Sequence, residues 1–522
     1  MYRDKANNVG PKFVSILYFL LLVLMIADRI ILLTLFGFRY TGSDDTVMWH
    51  GAINYMHGYF HEPFFYGQDY NYMTESIFAS ILMKAGMYPQ YALPLITSFM
   101  TLFPFLTFSY CYFRKGNLAA AFTFLSIPLL LPLEFAILTS MSRGFVNGIF
   151  FLSFIPMLTI NKTSRISFFL AGFLISLASV VNPNALIVAI PLLTYLSFKN
   201  YRNLNFYLFT ISGIIIVLIL HHIALNFYVI HPEYKIHGLG KDRMKFNFDL
   251  VKEAFSKLNF MFKYLSPVFW HYGMIAFFLL VILLFLLFVQ KKTIPAFAAL
   301  SSLLLIIFSF GFGKVHDGYD FVFLPVSRMF LALPLLYGIL LAWLFTGHHK
   351  QNLSAFILTF LSIMFFIYKV AIAENKIAQI VTQKDYGPVA IIEVNELKQK
   401  CAELDSLAAK YKASLLVLFA KGDKVTSINF KTYGCSALQE SFPPTLFPGS
   451  DRRIWQFYEE KSLIRKNILF FGGYAEFWDN TVNKGLKFKK ISEHPFIYIL
   501  TDNNMNTFEL LEKMDLPTDK RI

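Results

Sequence analysis

The chain of 522 residues is 56% hydrophobic and 18% aromatic, with 60 Phe and only 15% charged residues, and its mean hydropathy is +0.52. That composition excludes an ordinary soluble domain and a disordered chain, and apolar runs able to cross a hydrocarbon core of roughly 30 Å recur from residue 13 to about residue 373. The formal net charge of +14 reads as a polyanion partner until it is divided: residues 374–522 hold 21 Lys and Arg against 19 Asp and Glu, leaving 26 against 14 on the apolar remainder. Lys and Arg in short cytoplasmic loops account for that excess, so nucleic-acid binding is excluded.

In chain order, the apolar pattern predicts membrane helices near 13–36, 90–113, 118–134, 145–160, 166–181, 184–198, 205–224, 268–289, 294–312, 325–346 and 352–373, about eleven in all. Several are shorter than the ~20 residues of an ideal span, notably the pair around Asn182-Pro183-Asn184. Arg3, Lys5 and Lys12, Arg114 and Lys115, Lys162 and Arg165, Lys199 and Arg202, Lys291 and Lys292, and Lys350 fall on alternate loops, which makes their side the cytoplasm. An odd number of spans starting inside then puts the long first loop (37–89), the loop near 225–267 and the C-terminal region outside. The first apolar run continues too far and lacks a small-residue cleavage site, so no cleavable signal peptide is expected. The expectation is a polytopic α-helical protein of the inner or plasma membrane, with a transmembrane domain over 1–373 and an extracytoplasmic domain over 374–522.

In that last region helical patterns at 389–411, 452–461 and 506–513 alternate with the strand-like runs SLLVLFA at 414–420, ILFFG at 468–472 and FIYIL at 496–500. A small α/β layer follows, with no phosphate loop and hence no nucleotide. Three cysteines are too few for a disulfide framework: Cys111 reads as a small buried hydrophobe, whereas Cys401 and Cys435, both on the outer side, are either bridged or unbridged.

The first outer loop carries the chemistry-bearing residues. Asp44 and Asp45 stand within ten residues of the first span, two carboxylates at the membrane surface. Either Ser43 or Asp44 caps a short helix beginning near Thr46, or the pair has catalytic work. Asp28 and Arg29, inside the first span, are an expensive placement for charge; they pair with helical neighbours or snorkel outward.

The stretch FFYGQDYNYMTES at 64–76 resembles, with the acidic pair, the first loop of the GT-C membrane glycosyltransferases, relatives of protein O-mannosyltransferases and of the lipid A aminoarabinose transferase. In bacterial members that loop reads approximately D-E-A-x-x-A-L-M-A and then F-F-Y-G-Q-x-Y-x-G-S-L-E-A. Asp44 and Asp45 stand at D-E, and Phe64, Phe65, Tyr66, Gly67, Gln68, Tyr70 and Glu75 match the second element in spacing. Asp45 departs from the usual Glu, Tyr72 from a Gly and Ser76 from an Ala. The stretch LPVSRMFLALPLLYGILLA at 324–342 is similar to the R-Y-L-x-P entrance of a late span in the same group, with Arg328 at the arginine position. The resemblance implies a GT-C fold, an inverting glycosyltransferase and a sugar donor carried on a polyprenyl phosphate.

Residue chemistry supports those roles independently. Outside the cytoplasm there is no nucleotide-sugar pool, so the donor must be lipid-linked, its tail in the membrane lipids. A carboxylate within reach of the acceptor hydroxyl acts as general base, and Asp44, with Asp45 beside it, is the candidate. A preorganised cation stabilises the departing phosphate, for which Arg328 leads, with Lys314 and Arg143 as further candidates. Gln68, Tyr70, Glu75 and Tyr66 would orient sugar hydroxyls or fix the loop. As a structural alternative, Arg328 anchors a helix at the headgroup level. His316, Asp317 and Asp320 are acceptor contacts or solvated residues. His57 and His61 have the i, i+4 spacing of a metal pair, but Gly58 and Pro63 argue against a helix there; the residues assign no cofactor, and a divalent cation stays open because some members of the group use one and others do not. No motif names the sugar or distinguishes a protein, lipid or glycan acceptor. Two rival readings are a lipid-linked-glycan transporter, in which Asp28 and Arg29 would line the pathway, and a non-catalytic GT-C relative acting in assembly.

Overall fold

A computed structural model of the chain describes residues 11–66, 68–160, 164–234, 241–346, 351–382, 391–419, 433–439, 441–448, 453–473, 475–482, 484–493 and 496–518. Arg3, Lys5, Gly67, Lys162, Lys350 and Arg452, used in the sequence reading, lie outside these. The chain forms two compact units, one of Met1–Gly37, Leu95–Ile223 and Leu239–Ile380, the other of Phe38–Pro94, Ala224–Gly238 and Val381–Ile522.

The first unit is helical. Lys12–Gly37, Pro89–Arg114, Leu204–Ile230 and Gln351–Thr382 are long and apolar, at 26, 26, 27 and 32 residues, so each exceeds a hydrocarbon core of roughly 30 Å at about 1.5 Å per residue. Shorter apolar helices accompany them: Leu118–Leu130, Asn147–Thr159, Arg165–Val181, Pro183–Lys199, Met274–Val289, Thr293–Ser309 and Leu333–Phe345. Leu118–Leu130 is buried on every side from Ala119 onward, which explains why its sequence shows no polar face. The break at Asn182-Pro183-Asn184 is built, not frayed. The Asn182 side chain accepts the Asn184 N–H at 3.1 Å and donates to the Gly144 carbonyl at 2.8 Å, while Asn184 donates to the Phe145 carbonyl at 2.7 Å. Helices Arg165–Val181 and Leu204–Ile230 cross with backbones almost touching, since a Cβ on Gly172 would lie 2.1 Å from the Thr210 carbonyl oxygen and one on Gly213 2.3 Å from that of Phe169.

The charges inside this unit are paired across helices and neither snorkel nor pair with helical neighbours. Asp28 meets Lys369 at 2.8 Å and Glu134 meets Lys376 at 3.1 Å. Arg29, buried, donates to the Ala136 carbonyl at 3.1 Å and Thr139 Oγ1 at 3.2 Å. A low-dielectric interior makes each unanswered charge costly, so these contacts tie Pro11–Leu32 to Gln351–Thr382 and to the segment after Leu133. A transport pathway would need the same groups facing a passage.

The second unit joins sequence-distant pieces. Strand Tyr40–Gly42 pairs antiparallel with Ile391–Glu393, which is why the helix expected from 389 begins only at Val394. Its partner strand is hundreds of positions away and invisible to local pattern. Helix Val394–Lys410 is bridged through Cys401 to Cys435 of helix Tyr433–Leu438, Cα to Cα 5.2 Å. A five-stranded sheet follows in the order Thr445–Leu446, Leu415–Phe419, Ile468–Gly472, Phe496–Leu500 and Phe488–Glu493, the first three mutually parallel and Phe496–Leu500 antiparallel to both of its neighbours. Val417, Phe470 and Tyr498 of the sheet pack with Phe457, Trp478 and Leu510 of helices Ile454–Glu460, Ala475–Val482 and Thr507–Lys513. Trp478 stacks on Tyr498 at 3.9 Å and donates its indole N–H to the Gly472 carbonyl at 2.9 Å. The sequence reading found three of the strands and missed two at the edges: Thr445–Leu446, only two residues long, and Phe488–Glu493, whose lysines hide an edge strand. Residue 373, the expected domain boundary, falls inside Gln351–Thr382.

The bridge closes a separation of 34 residues, for which chain entropy alone gives roughly 3–4 kcal/mol. Cys401→Ser with Cys435→Ser is expected to lower the stability of the sheet-containing unit by about that amount, read by tryptophan fluorescence in denaturant. Reductant is expected to do the same to the unmodified protein and nothing to the double variant.

Candidate functional site

The first loop enters its helix from a clamped strand. The Val394 N–H donates to the Arg39 carbonyl at 2.7 Å, and Arg39 faces Glu393 at 3.8 Å. Helix Ser43–Met56 then starts with both acids in its first turn, where the helix dipole favours ionised carboxylates. Their environments differ. Asp45 is buried and its Oδ2 accepts the Gly42 N–H at 2.9 Å, so the carboxylate that closes the first turn is that of Asp45 and not that of Asp44; the Ser43 side chain lies outside the described residues. Asp44 is half-buried.

The matching second element forms a hairpin, Phe64–Phe65 against Gln68–Tyr72, with Phe65 opposite Gln68 and Phe64 opposite Tyr72. Tyr70 lies within the second strand. Tyr66 takes the turn at φ 40°, a left-handed conformation, and is buried. Burial first, then Tyr55 and Glu62, push its hydroxyl above the ordinary phenol range against the opposing charge of Arg453, so it remains a donor. Gln68 is half-buried. Glu75 opens helix Thr74–Lys84 fully buried. Next to it Ser76 donates to the Met48 carbonyl at 2.9 Å, which links this helix to the Asp44 helix and gives the departure from Ala a local purpose.

Sequence reasoning missed the polar groups behind this loop. Glu62 is buried and accepts the Tyr228 hydroxyl at 2.8 Å, while the Phe64 N–H donates to the same oxygen at 3.3 Å. His50 Nε2 lies 2.8 Å from Ser436 Oγ and 3.3 Å from Nη1 of Arg453, whose other nitrogen donates to the Thr445 carbonyl at 2.8 Å. Arg453 is completely buried. Nothing in the local sequence signals these partners, because Tyr228, Ser436 and Arg453 come from three remote segments.

The histidine pair does not fit a metal. The helix ends at Met56 with His57 as its C-cap, so His57 and His61 share no helical face. The His61 ring lies flat on Trp455, centroids 3.9 Å apart, and burial holds it below the ordinary histidine value. Among the described residues no group of three or more His, Cys, Asp and Glu could hold a metal ion.

In the other unit the three predicted phosphate ligands converge on one short segment, 313–330. Asp317 gathers Lys314 at 3.0 Å, Arg243 at 3.1 Å and Arg328 at 3.8 Å. Arg328 is buried and also donates to the carbonyls of Asp317 and Pro325, and buried Arg143 donates to the Phe323 carbonyl at 2.7 Å. Asp317 is therefore not a solvated bystander. Burial alone would raise its carboxyl, but the Lys314 hydrogen bond and the charges of Lys314, Arg328 and Arg243 outweigh it and hold the group below the usual carboxylate range. Burial, with Arg328 and Arg243 nearby, lowers Lys314 despite Asp317. Asp320 pairs with Lys263, and His316 Nε2 sits 2.8 Å from the Phe310 carbonyl. Three cations around one carboxylate leave a positive excess, a setting for an anion such as a phosphate.

Two crystal structures of ArnT from Cupriavidus metallidurans are similar to this chain. The apo state is 10% identical, covers 96% of this chain and 98% of that one, and gives a TM-score of 0.42. The form bound to undecaprenyl phosphate is 12% identical, covers 93% and 98%, and gives 0.43. No family model and no curated protein matches the sequence.

A depressed carboxyl contributes stability above its unfolded value, near about 4, and loses it as pH falls through the lowered folded value. Amide exchange across 313–330, corrected for intrinsic rates, is expected to be slow at pH 6 and markedly faster at pH 3. Asp317→Asn is expected to show fast exchange at both pH values. Equal protection in the variant would remove Asp317 as the organiser of this segment.

Proposed function

We propose that this protein is an integral-membrane glycosyltransferase that moves a sugar from a polyprenyl-phosphate carrier to an acceptor hydroxyl at the outer face of the membrane. The observation that carries it is the first loop: Asp44, half-buried in a helix first turn, followed at the GT-C spacing by a hairpin and a buried Glu75. In this reading the four long and seven shorter apolar helices all belong to the spanning bundle, the N-terminus is cytoplasmic, and 1–373 and 374–522 are the membrane and extracytoplasmic portions. The Cys401–Cys435 bridge supports the outer assignment, since disulfides persist in oxidising compartments.

Asp44 takes the proton of the acceptor hydroxyl as its oxygen bonds to the anomeric carbon; the bond from that carbon to the phosphate oxygen breaks, and the polyprenyl phosphate leaves with the electron pair. Direct displacement inverts the anomeric centre. Arg328, with Lys314 and Arg143, stabilises the charge gathering on the phosphate. Asp45 keeps the helix start in place, and Tyr66, Gln68, Tyr70 and Glu75 order the loop and the sugar hydroxyls.

The test uses the full-length protein in liposomes with a panel of undecaprenyl-phosphate-linked hexoses and pentoses and native membrane extract as acceptor. Asp44→Asn is expected to lower kcat by about 10²–10⁴-fold with the thermal melt unchanged, and Lys314→Gln to raise the donor KM. Unchanged transfer in the folded Asp44→Asn protein would remove it as base.

A further inference from the structure

At the end of the helical unit that carries Lys115 and Lys199, the described residues of the segments 107–118, 151–166, 191–205, 289–294 and 337–353 include seven Lys and Arg and no Asp or Glu. Asp4, which the sequence assigns to the same side, lies outside the described residues and between Arg3 and Lys5. The chain therefore supplies almost no counter-charge here. Some of these cations are occupied internally: Lys292 donates to the carbonyls of Trp343, Leu344 and Thr346 at 2.9, 2.6 and 3.0 Å, capping the helix Leu333–Phe345. Others are not. Lys115 and Lys199 line a cavity of about 80 Å³ together with Tyr112, Tyr195, Trp343 and apolar side chains such as Ile155 and Leu192. Among the described residues neither lysine has a carboxylate partner, and no acceptor receives the hydroxyl of Tyr112 or Tyr195.

The geometry of the wall is fixed. Tyr195 stacks on Trp343 with centroids 4.7 Å apart, and Lys199 Nζ lies 5.9 Å from the Tyr195 ring centroid. Burial and then the neighbouring positive charge of Lys199 hold the Lys115 ammonium below its ordinary value, and an anion beside Lys115 would offset both. The volume exceeds by several-fold the roughly 10–15 Å³ that one water needs, which leaves room for a phosphate group.

We propose that this cavity binds the phosphate of an anionic phospholipid, with Lys115 and Lys199 on the phosphate, the tyrosine hydroxyls as further donors, and the glycerol and first methylenes against the aromatic and apolar wall. Basic pockets between spanning helices suit such headgroups, and Tyr and Trp favour the same interfacial depth. A soluble phosphate would make no use of the apolar lining. The site is independent of the proposed sugar transfer, and its test does not read that activity.

The full-length protein is purified, freed of endogenous lipid, titrated with phosphatidylglycerol or phosphatidylcholine, and examined by native mass spectrometry. One phosphatidylglycerol is expected to be retained preferentially, with Lys115→Gln plus Lys199→Gln weakening it at least tenfold and the two lysine-to-arginine changes restoring it. Lys291→Gln, a charge loss at the same end but away from the cavity, is expected to change nothing. The single changes K115Q and K199Q carry the comparison should the double variant fail to fold. Equal retention by the glutamine variants, equal binding of phosphatidylcholine, or full competition by millimolar inorganic phosphate would each overturn the assignment.

Discussion

A charge that leaves water must find its partner within the protein, and in a mostly apolar chain that requirement decides where helices meet. Asp28 with Lys369, Glu134 with Lys376, and Arg29 with the Ala136 carbonyl and Thr139 fasten the first long helix and the segment after Leu133 to the last long helix. Dispersion packing alone orients apolar helices weakly, because Leu against lipid is nearly as favourable as Leu against Leu. Ion pairs are directional and costly to break when buried, so they select one arrangement among many that would bury similar area.

The same rule organises the segment around Asp317. A lone arginine at the start of a late span is ordinary at a membrane interface. Arg328 is something else: a buried guanidinium whose donors are committed to Asp317 and to two backbone carbonyls, with Lys314 and Arg243 on the same carboxylate. One acid holding three bases preorganises positive potential without letting the cations fly apart. Preorganisation of this kind is what stabilises a leaving anion most effectively.

The first loop solves a different problem, that of holding a carboxylate still on an irregular segment. A fourteen-residue helix would fray at its start. Here the strand before it is paired with Ile391–Glu393, Asp45 closes the first turn, and Ser76 and the buried His50–Arg453 contacts hold its flanks. The disulfide between Cys401 and Cys435 fixes the helix that follows the partner strand. The C-terminal residues thus act on the loop through backbone pairing and buried polar contacts.

Composition and apolar periodicity by themselves determined the membrane class, the approximate helix positions, three strands of the mixed sheet and the motif that singles out Asp44, because these depend on local pattern and on spacing within tens of residues. The sequence also placed Arg328, Lys314 and Arg143 as candidates for one role, but not the carboxylate that gathers two of them. Only the tertiary structure decided that Asp45 rather than Asp44 caps the helix, that Asp28 looks to Lys369, and that Arg453 and Tyr228 stand behind the loop. The physical reason is range: hydrophobic patterning is written in neighbours along the chain, whereas a buried charge or an unpaired strand finds its partner by distance in space, and nothing in either residue's own surroundings names the other.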